Sequence, residues 1–123
     1  MKTINFLVVG TNFISDNFCE AAKSLVGVSV YAVYSRKFDT GREFAHKHGI
    51  EKVYTNYEEA LRDNSVDAVY VASPTFLHAE HSVKAMRAKK HVLCEKSIAS
   101  SLSLLDEMIE VSKEEGVVLL EAM

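Results

Sequence analysis

Six short apolar runs alternate along the chain with stretches of helical periodicity, and this alternation restricts the fold more than any other feature. The runs cover Ile4–Val9, Val28–Tyr34, 53–54, 68–72, 91–94 and 117–120. Runs that are apolar at consecutive positions are typical of strands buried on both faces of a parallel sheet. Strict alternation with helices predicts right-handed crossovers, and therefore parallel strands.

Five helices are predicted between these runs. The residues expected on the buried faces of the first, fourth and fifth helices are Ile14, Phe18, Ala22 and Leu25; Phe76, Val83 and Met86; and Leu102, Leu105, Ile109 and Ser112. The glycines expected to end the first, second and fifth helices are Gly27, Gly49 and Gly116. Asn56 and Glu59 have the spacing of a capping box for the third helix, and Ser100 or Ser101 is the expected cap of the fifth.

The elements predict an α/β fold with one doubly wound (Rossmann) sheet of six parallel strands, in the order 3-2-1-4-5-6, with helices on both faces. The 123 residues are about the length of a single domain, which we expect to span 1–123. In such a sheet ligands bind outside the carboxyl ends of the strands, where the strand order reverses. The residues that follow each strand are therefore the candidate site.

Composition excludes several classes of protein. Hydrophobic residues make up 48% and charged residues 25% of the chain, which is typical of a globular domain and not of a disordered or collagen-like one. The net charge of −3 gives no basic surface for nucleic acid or an anionic membrane, and no apolar run approaches the ~20 residues of a membrane helix. The start of the chain lacks signal-peptide features, and Cys19 and Cys94 are expected as free thiols. We therefore expect a cytoplasmic protein.

The first strand is followed by a turn that resembles a phosphate-binding loop. Residues 10–15 read Gly-Thr-Asn-Phe-Ile-Ser and occupy the position of a G-x-G-x-x-G motif between strand and helix. Gly10 suits the tight turn, whereas Asn12 and Ser15 stand where the other two glycines belong. The start of the helix offers free N–H groups to a phosphate. An ordinary strand-to-helix turn is the alternative interpretation.

The second strand ends in a basic turn. Ser35, Arg36 and Lys37 stand where a site that prefers NAD usually carries an acid, and the first carboxylate is Asp39. A hydroxyl followed by two cations suits the 2′-phosphate of NADP, because arginine makes charge-assisted hydrogen bonds to phosphate. A solvated basic turn is the alternative.

The fourth strand is followed by Ser73, by Pro74, which is the only proline, and by Thr75, which is expected to cap the next helix. His78 and His81 lie one turn apart, but no third ligand completes a metal site. His46 and His48 are expected at the surface, and His81 at the surface or in the cap region of the next helix.

The fifth strand is followed by Glu95 and Lys96 at the mouth of the sheet. Lys96 could act electrostatically or in proton transfer, and a surface ion pair with little effect is the alternative. No base stands beside Cys94 in the sequence, so a buried thiol at the end of the strand is expected rather than a nucleophile.

Together these segments resemble the N-terminal domain of the Gfo/Idh/MocA family of NAD(P)-dependent oxidoreductases. The resemblance rests on the turn at 10–15, on Ala-Val-Tyr-Ser-Arg at 32–36, on Ala-Ser-Pro-Thr-Phe-Leu-His at 72–78 and on Cys-Glu-Lys at 94–96. It runs from about Ile4 to the last residue. The sequence departs from the family pattern at Asn12 and Ser15, and at Ser97, where the family's Glu-Lys-Pro motif has its proline.

The resemblance implies a cofactor, NADP or else NAD, and a role for each motif. The residues implied to bind it are Gly10, Thr11, Asn12, Phe13, Ile14, Ser35, Arg36, Ser73, Pro74, Thr75, His78, Glu95 and Lys96. The turn at 10–14 would surround the pyrophosphate, Ser35 and Arg36 would hold the adenosine ribose, and the segment 73–78 would line the nicotinamide. Lys96 is implied to be catalytic, since the family's lysine assists proton movement during hydride transfer.

The resemblance also implies a second, substrate-binding domain, which we expect to lie outside these 123 residues. We expect the full enzyme to transfer hydride between its cofactor and a sugar-like or other small hydroxy or carbonyl compound, and the chain alone to bind cofactor without meaningful turnover. The alternatives are a stand-alone nucleotide-sensing module and a methyltransferase-like domain that binds S-adenosylmethionine. We also expect self-association through the exposed edge or domain face near the sixth strand.

Overall fold

The computed structural model describes residues 3–122, which form one sheet with helices on both faces. The strands are β1 (Ile4–Val9), β2 (Val28–Tyr34), β3 (Lys52–Tyr54), β4 (Ala68–Val71), β5 (His91–Glu95) and β6 (Leu119–Ala122). The helices are α1 (Phe13–Lys23), α2 (Phe38–His48), α3 (Tyr57–Leu61), α4 (His78–Arg87) and α5 (Leu102–Glu115). A single 3₁₀ turn, Thr75–Leu77, precedes α4.

The strand order is β3-β2-β1-β4-β5-β6 and every pair is parallel, which confirms the predicted topology. β1 lies between β2 and β4, so the direction of winding reverses beside it. The carboxyl ends of β1 and β4 therefore border the crevice in which this fold binds ligands.

Successive side chains along each central strand point to opposite faces of the sheet, so they pack into two separate cores. Leu7 and Val69 pack on the side of α3, α4 and α5, where Met86 and Met108 are fully buried. The opposite face of the sheet packs against α1 and α2. No helix within residues 3–122 has the length and apolar character needed to cross a membrane.

Capping side chains and glycines at helix ends predicted several helix boundaries correctly. Asn56 accepts a hydrogen bond from the backbone N of Glu59 at 2.9 Å, and Ser101 accepts one from Leu104 at 3.2 Å. Gly49 and Gly116 end α2 and α5 in the left-handed conformation. The predicted end of α1 at Gly27 is wrong, because α1 ends at Lys23. The carbonyl of Gly27 already accepts a hydrogen bond from Ile4 at 2.8 Å, so it belongs to the sheet.

Four predicted buried positions are wrong, and one of them is Ile109 of α5, which is 39% exposed. Leu25 lies beyond the end of α1 and is 57% exposed, while Phe76 lies in the 3₁₀ turn and is 75% exposed. Leu102 is 79% exposed, because α5 turns Met108 and Val111 toward the core instead.

The sixth strand also begins two residues later than predicted. The backbone N of Val117 still donates to Ser112 of α5 at 3.1 Å, and that of Val118 donates to the ring of His91 at 3.0 Å. Pairing with β5 begins only at Leu119.

Candidate functional site

A cleft of about 490 Å³ lies at the carboxyl ends of β1, β2 and β4, where the strand order reverses. The predicted site residues that line it are Gly10, Thr11, Asn12, Ser35, Arg36, Ser73 and Pro74. The predicted site residues that do not line it are Phe13, Ile14, Thr75, His78, Glu95 and Lys96. Thr40 and His81 also line the cleft, although neither was predicted as a site residue. They lie in the first turns of α2 and α4, beyond the loops that carry the sequence motifs.

Gly10 gives the cleft its close approach to the backbone. Its φ is +109°, in the region that favours glycine, and a Cβ there would lie 2.8 Å from the carbonyl oxygen of Ala72. No side chain fits between the end of β1 and the end of β4. The open space above Gly10 suits a group that must approach the backbone, as a pyrophosphate does.

Asn12 is the cap of α1, and its amide is turned toward the protein. Its Oδ1 accepts a hydrogen bond from the backbone N of Ser15 at 3.1 Å, and its Nδ2 donates to the carbonyl of Ala72 at 2.9 Å. The carboxamide thus satisfies one free N–H of α1 and ties the turn to β4. The glycine at this place in G-x-G-x-x-G is replaced by a residue whose side chain stays bound to β4.

The first turn of α1 holds two further predicted residues. Phe13 is 72% exposed at the start of the helix, and Ile14 is half-buried against the core that α1 and α2 share. Ser15 is fully buried at the third glycine position of the motif, where helix-to-strand packing requires a small residue.

The side of the cleft at the end of β2 is positively charged. Arg36 and Lys37 are exposed, and neither forms an ion pair with any residue from 3 to 122. No Asp or Glu occurs among the described residues that line the cleft. Ser35 Oγ donates to the carbonyl of Lys37 at 2.9 Å, which fixes the turn that carries both cations. The residues present therefore fit an additional phosphate better than a bare ribose hydroxyl.

Helix α2 lies unusually close to this basic turn. A Cβ on Gly41 would lie 3.0 Å from the Cβ of Ser35 and 2.9 Å from a methyl group of Val53. The absence of a side chain at position 41 lets the start of α2, including Thr40, border the cleft.

His81 lies in the first turn of α4 and is buried, so the interpretation of it as a surface residue is wrong. Its ring contacts Tyr57, and its Nδ1 lies 2.8 Å from Ser73 Oγ. Burial lowers the pKa of His81, so the neutral ring is the dominant form near pH 7. The ring supports the wall of the cleft on the side of β4.

His48 is also buried, against the prediction, whereas His46 is exposed as predicted. The ring of His48 packs on Phe44, and its Nε2 lies 2.6 Å from Asp16 Oδ1. Neither partner lines the cleft, and the contact between His48 and Asp16 joins α2 to α1.

His78 bridges two loops at the carboxyl edge of the sheet. Its buried ring lies 2.7 Å through Nε2 from the carbonyl of Ser73, and 2.8 Å through Nδ1 from the carbonyl of Ser97. The predicted cap at Thr75 is wrong, since Thr75 opens the 3₁₀ turn and α4 begins at His78.

The residues after β5 lie next to the cleft rather than in its lining. The hydroxyl of Tyr70 donates to the carboxylate of Glu95, and Lys96 is exposed and makes no ion pair with a residue of the described chain. The peptide bond between Lys96 and Ser97 is cis. The thiol of Cys94 is buried, as predicted, and burial raises its pKa to about 11, so it is protonated near neutral pH.

Comparison with known proteins decides the family. A family model described as "Oxidoreductase family, NAD-binding Rossmann fold" (GFO_IDH_MocA) matches residues 4–123. The chain belongs to the Gfo/Idh/MocA oxidoreductase family. It is accordingly the NAD(P)-binding domain of an oxidoreductase.

Several curated relatives resemble this Gfo/Idh/MocA domain. The scyllo-inositol 2-dehydrogenase (NADP(+)) IolU of Bacillus subtilis is 44% identical over 120 residues, which are 98% of this chain and 37% of that enzyme. The 1,5-anhydro-D-fructose reductase of Ensifer adhaerens is 38% identical over 91% of this chain and 34% of its own length. The chain thus spans about a third of the length of the curated relatives that it matches.

A solved structure with a bound cofactor has the same fold. KijD10, a 3-ketoreductase from Actinomadura kijaniata in complex with NADP, superimposes with a TM-score of 0.91 at 34% identity. The match covers 98% of this chain and 38% of that one.

Proposed function

We propose that this domain binds NADP(H) for an oxidoreductase that transfers hydride between the nicotinamide and a sugar-like or other small hydroxy or carbonyl compound. The observation that carries the preference for NADP is the pair of unpaired cations, Arg36 and Lys37, at a cleft whose described lining holds no carboxylate. NAD remains a weaker second cofactor in this proposal. The relatives named for NADP, IolU and KijD10, support it.

The cofactor would lie across the end of β1. The turn from Gly10 to Ile14 would hold the pyrophosphate against the start of α1, whose free N–H groups favour an anion. Thr11 and Asn12 border the cleft at this point, and Phe13, which does not line it, follows them at the exposed start of α1. Ser35 and Arg36 would hold the adenosine ribose and its 2′-phosphate.

The nicotinamide half would then lie on the side of β4 and β5. Ser73 and Pro74 border the cleft there, and Thr75 and His78 follow directly in the chain. Glu95 would bind the nicotinamide ribose.

Lys96 would be the catalytic residue. In reduction, the hydride passes from C4 of the reduced nicotinamide to the carbonyl carbon, and the carbonyl oxygen takes up one proton. In oxidation the same hydroxyl loses a proton as its carbon loses hydride. The exposed ammonium of Lys96, free of any described ion pair, supports a role in moving that proton.

The whole enzyme's activity requires more than residues 1–123. We propose that these residues form the cofactor domain and that a substrate domain makes up much of the remaining two thirds of length that the relatives have. The isolated chain would then bind cofactor without turning over substrate. Steady-state oxidation of NADPH by the purified chain with a small carbonyl compound would contradict this.

Two further proposals concern partners and location. Val118 and Leu120, beside and within the edge strand β6, are 51% and 58% exposed, and such surfaces invite a second copy of the chain. Cys19 and Cys94 are both free and buried, which suits a reducing compartment such as the cytoplasm.

The preference for NADP is tested with Arg36→Ala. Isothermal titration of NADPH and NADH into the unmodified chain should show tighter binding of NADPH by about tenfold or more, because a charged hydrogen bond to phosphate is strong. The preference should vanish in Arg36→Ala. Arg42→Ala, at an exposed arginine of α2 outside the cleft, is the control and should keep it. Equal binding of both cofactors by the unmodified chain would refute the 2′-phosphate role.

A further inference from the structure

Tyr70 is a buried tyrosine whose hydroxyl reaches the functional edge of the sheet. It lies on β4, is 2% exposed, and its ring stacks on Phe18 of α1 with a centroid distance of 4.0 Å and an interplanar angle of 7°. Its hydroxyl donates a hydrogen bond to Oε2 of Glu95. Burial and the carboxylate raise the pKa of Tyr70, so the phenol keeps the proton that it donates.

Glu95 lies beside the lining of the cleft. Val71 pairs with Cys94, so the next residues along the two parallel strands, Ala72 and Glu95, are neighbours. Adjacent strands are separated by about 4.8 Å, and Ala72 borders the cleft. The carboxylate of Glu95 is half-buried, and its Oε1 accepts no hydrogen bond from the residues that the structure describes.

The two oxygens of Glu95 therefore have different roles. Oε2 is held by a phenol that the packing of Phe18 keeps in place, while Oε1 is available to a ligand. A carboxylate oxygen fits the hydroxyls of a ribose, because it accepts hydrogen bonds only. Since the basic turn at Arg36 lies at the other end of the cleft, beyond β1, the ribose beside β5 is the one attached to nicotinamide.

We propose that Tyr70 is a positioning residue of the nicotinamide-ribose subsite, and that it acts by fixing the carboxylate of Glu95. The proposal rests on the proposed binding of NADP(H). Tyr70 lies on the face of the sheet opposite α4, and its side chain touches no cofactor itself.

The test compares two ligands that differ only in the half of the molecule at issue. NADPH carries the nicotinamide ribose, whereas adenosine 2′,5′-bisphosphate carries the 2′-phosphate and lacks that ribose. Tyr70→Phe removes the hydroxyl and keeps the ring that stacks on Phe18. Isothermal titration should show NADPH binding weakened by about five- to tenfold and bisphosphate binding unchanged, as expected for one hydrogen bond to a charged group.

Two further variants separate positioning from a general loss of structure. Tyr31→Phe removes a hydroxyl that donates to another carboxylate, Asp63, at 3.0 Å, and should leave the affinity for both ligands unchanged. Glu95→Ala removes the carboxylate and should weaken NADPH binding, and adding Tyr70→Phe to it should weaken binding no further, because Tyr70 acts through Glu95.

The inference is overturned by unchanged NADPH binding in Tyr70→Phe, by equal weakening for both ligands, or by additive effects in the double variant. Failure of the proposed function gives a different result, since the unmodified chain would then bind neither NADPH nor the bisphosphate.

Discussion

Gly10 is the residue on which the shape of the cleft most depends. Its positive φ and the 2.8 Å approach of a Cβ to Ala72 act together, so both strain and collision oppose any side chain there. Gly49 also has a positive φ, of +67°, but a Cβ there meets no atom within 4 Å. Substitutions at the two glycines therefore separate the energetic cost of a positive φ from the cost of steric collision.

Gly10→Ala should lower the free energy of unfolding by about 1–3 kcal/mol through strain and collision, and should abolish binding of NADPH. Gly49→Ala should cost about 1–2 kcal/mol through the left-handed conformation alone and leave the affinity for NADPH unchanged. Urea unfolding and isothermal titration check the two effects. Retained NADPH binding in Gly10→Ala would contradict the account of this turn.

At the same scale, the buried histidines show the limit of what could be predicted. The ring of His78 lies against the carbonyls of Ser73 and Ser97, and the ring of His81 lies against Tyr57. These contacts join loops and helices that are distant in sequence. A backbone carbonyl leaves no mark in the sequence, so residue type alone could not predict them.

At the scale of elements, α1 is fastened at its start by a single side chain. The side chain of Asn12 caps the helix through Ser15 and also donates to Ala72 after β4, whereas the side chain of Asn56 caps α3 and makes no second described hydrogen bond. The two asparagines are therefore a matched pair, one with a bridge to the sheet and one without.

Asn56→Ala should lower the free energy of unfolding by about 1 kcal/mol through loss of a cap. Asn12→Ala should cost about 2 kcal/mol, since it also leaves the carbonyl of Ala72 without its donor. Chemical denaturation followed by circular dichroism measures both. Equal costs for the two variants would show that the bridge to Ala72 contributes nothing.

The carboxylate of Asp63, which follows α3, joins the middle of β2 to the end of β3. Burial raises its pKa, but hydrogen bonds from Tyr54 at 2.5 Å, from the backbone of Ser65 at 2.8 Å and from Tyr31 at 3.0 Å outweigh burial, so the pKa is lowered overall. A lowered pKa in the folded state stabilises the protein above the unfolded value, about 3.9, and that stabilisation disappears as the pH falls through the folded value.

Asp63→Asn should therefore be less stable than the unmodified chain at pH 7, and the difference should shrink as the solution is acidified below about pH 4. Urea midpoints across this range measure the effect. Asp106→Asn, at an exposed position of α5, is the control and should parallel the unmodified chain. A difference for Asp63→Asn that does not vary with pH would contradict the role of the charged carboxylate.

Elements were predicted well where their signals are local. Gly49, Gly116, Asn56 and Ser101 act within one helical turn, so the sequence reveals them. The face of α5 was predicted wrongly because helical spacing allows two apolar stripes, and only packing against α4 selects Met108 and Val111. The start of β6 was predicted two residues too early. The backbone N of Val118 donates to the ring of His91, and pairing with β5 begins only at Leu119.

At the scale of the whole molecule, β6 is the edge with the most exposed apolar side chains beside it. We expect the chain to self-associate with increasing concentration in light scattering. Leu120→Lys should reduce that association, since lysine on an edge strand opposes pairing. Leu25→Lys, at a similarly exposed leucine after α1, is the control and should associate like the unmodified chain. A monodisperse monomer at every concentration would contradict this expectation.

The parallel order of the sheet explains why much of the site could be predicted from the sequence. Because every strand is parallel, the loops after β1, β2 and β4 meet at one edge, and the motifs at 10–12, 35–36 and 73–74 meet in one cleft. What the sequence could not reveal is how side chains such as Asn12 and Tyr70 turn back into the protein to hold that edge in place.

We propose above that this cleft selects a dinucleotide with a 2′-phosphate. Competition against NADPH bound to the unmodified chain, followed by the fluorescence of the nicotinamide, tests this selection. We expect NADP⁺ to displace NADPH readily, NAD⁺ to do so only at much higher concentration, and S-adenosylmethionine not to displace it. Displacement by S-adenosylmethionine, or by NAD⁺ as readily as by NADP⁺, would contradict it.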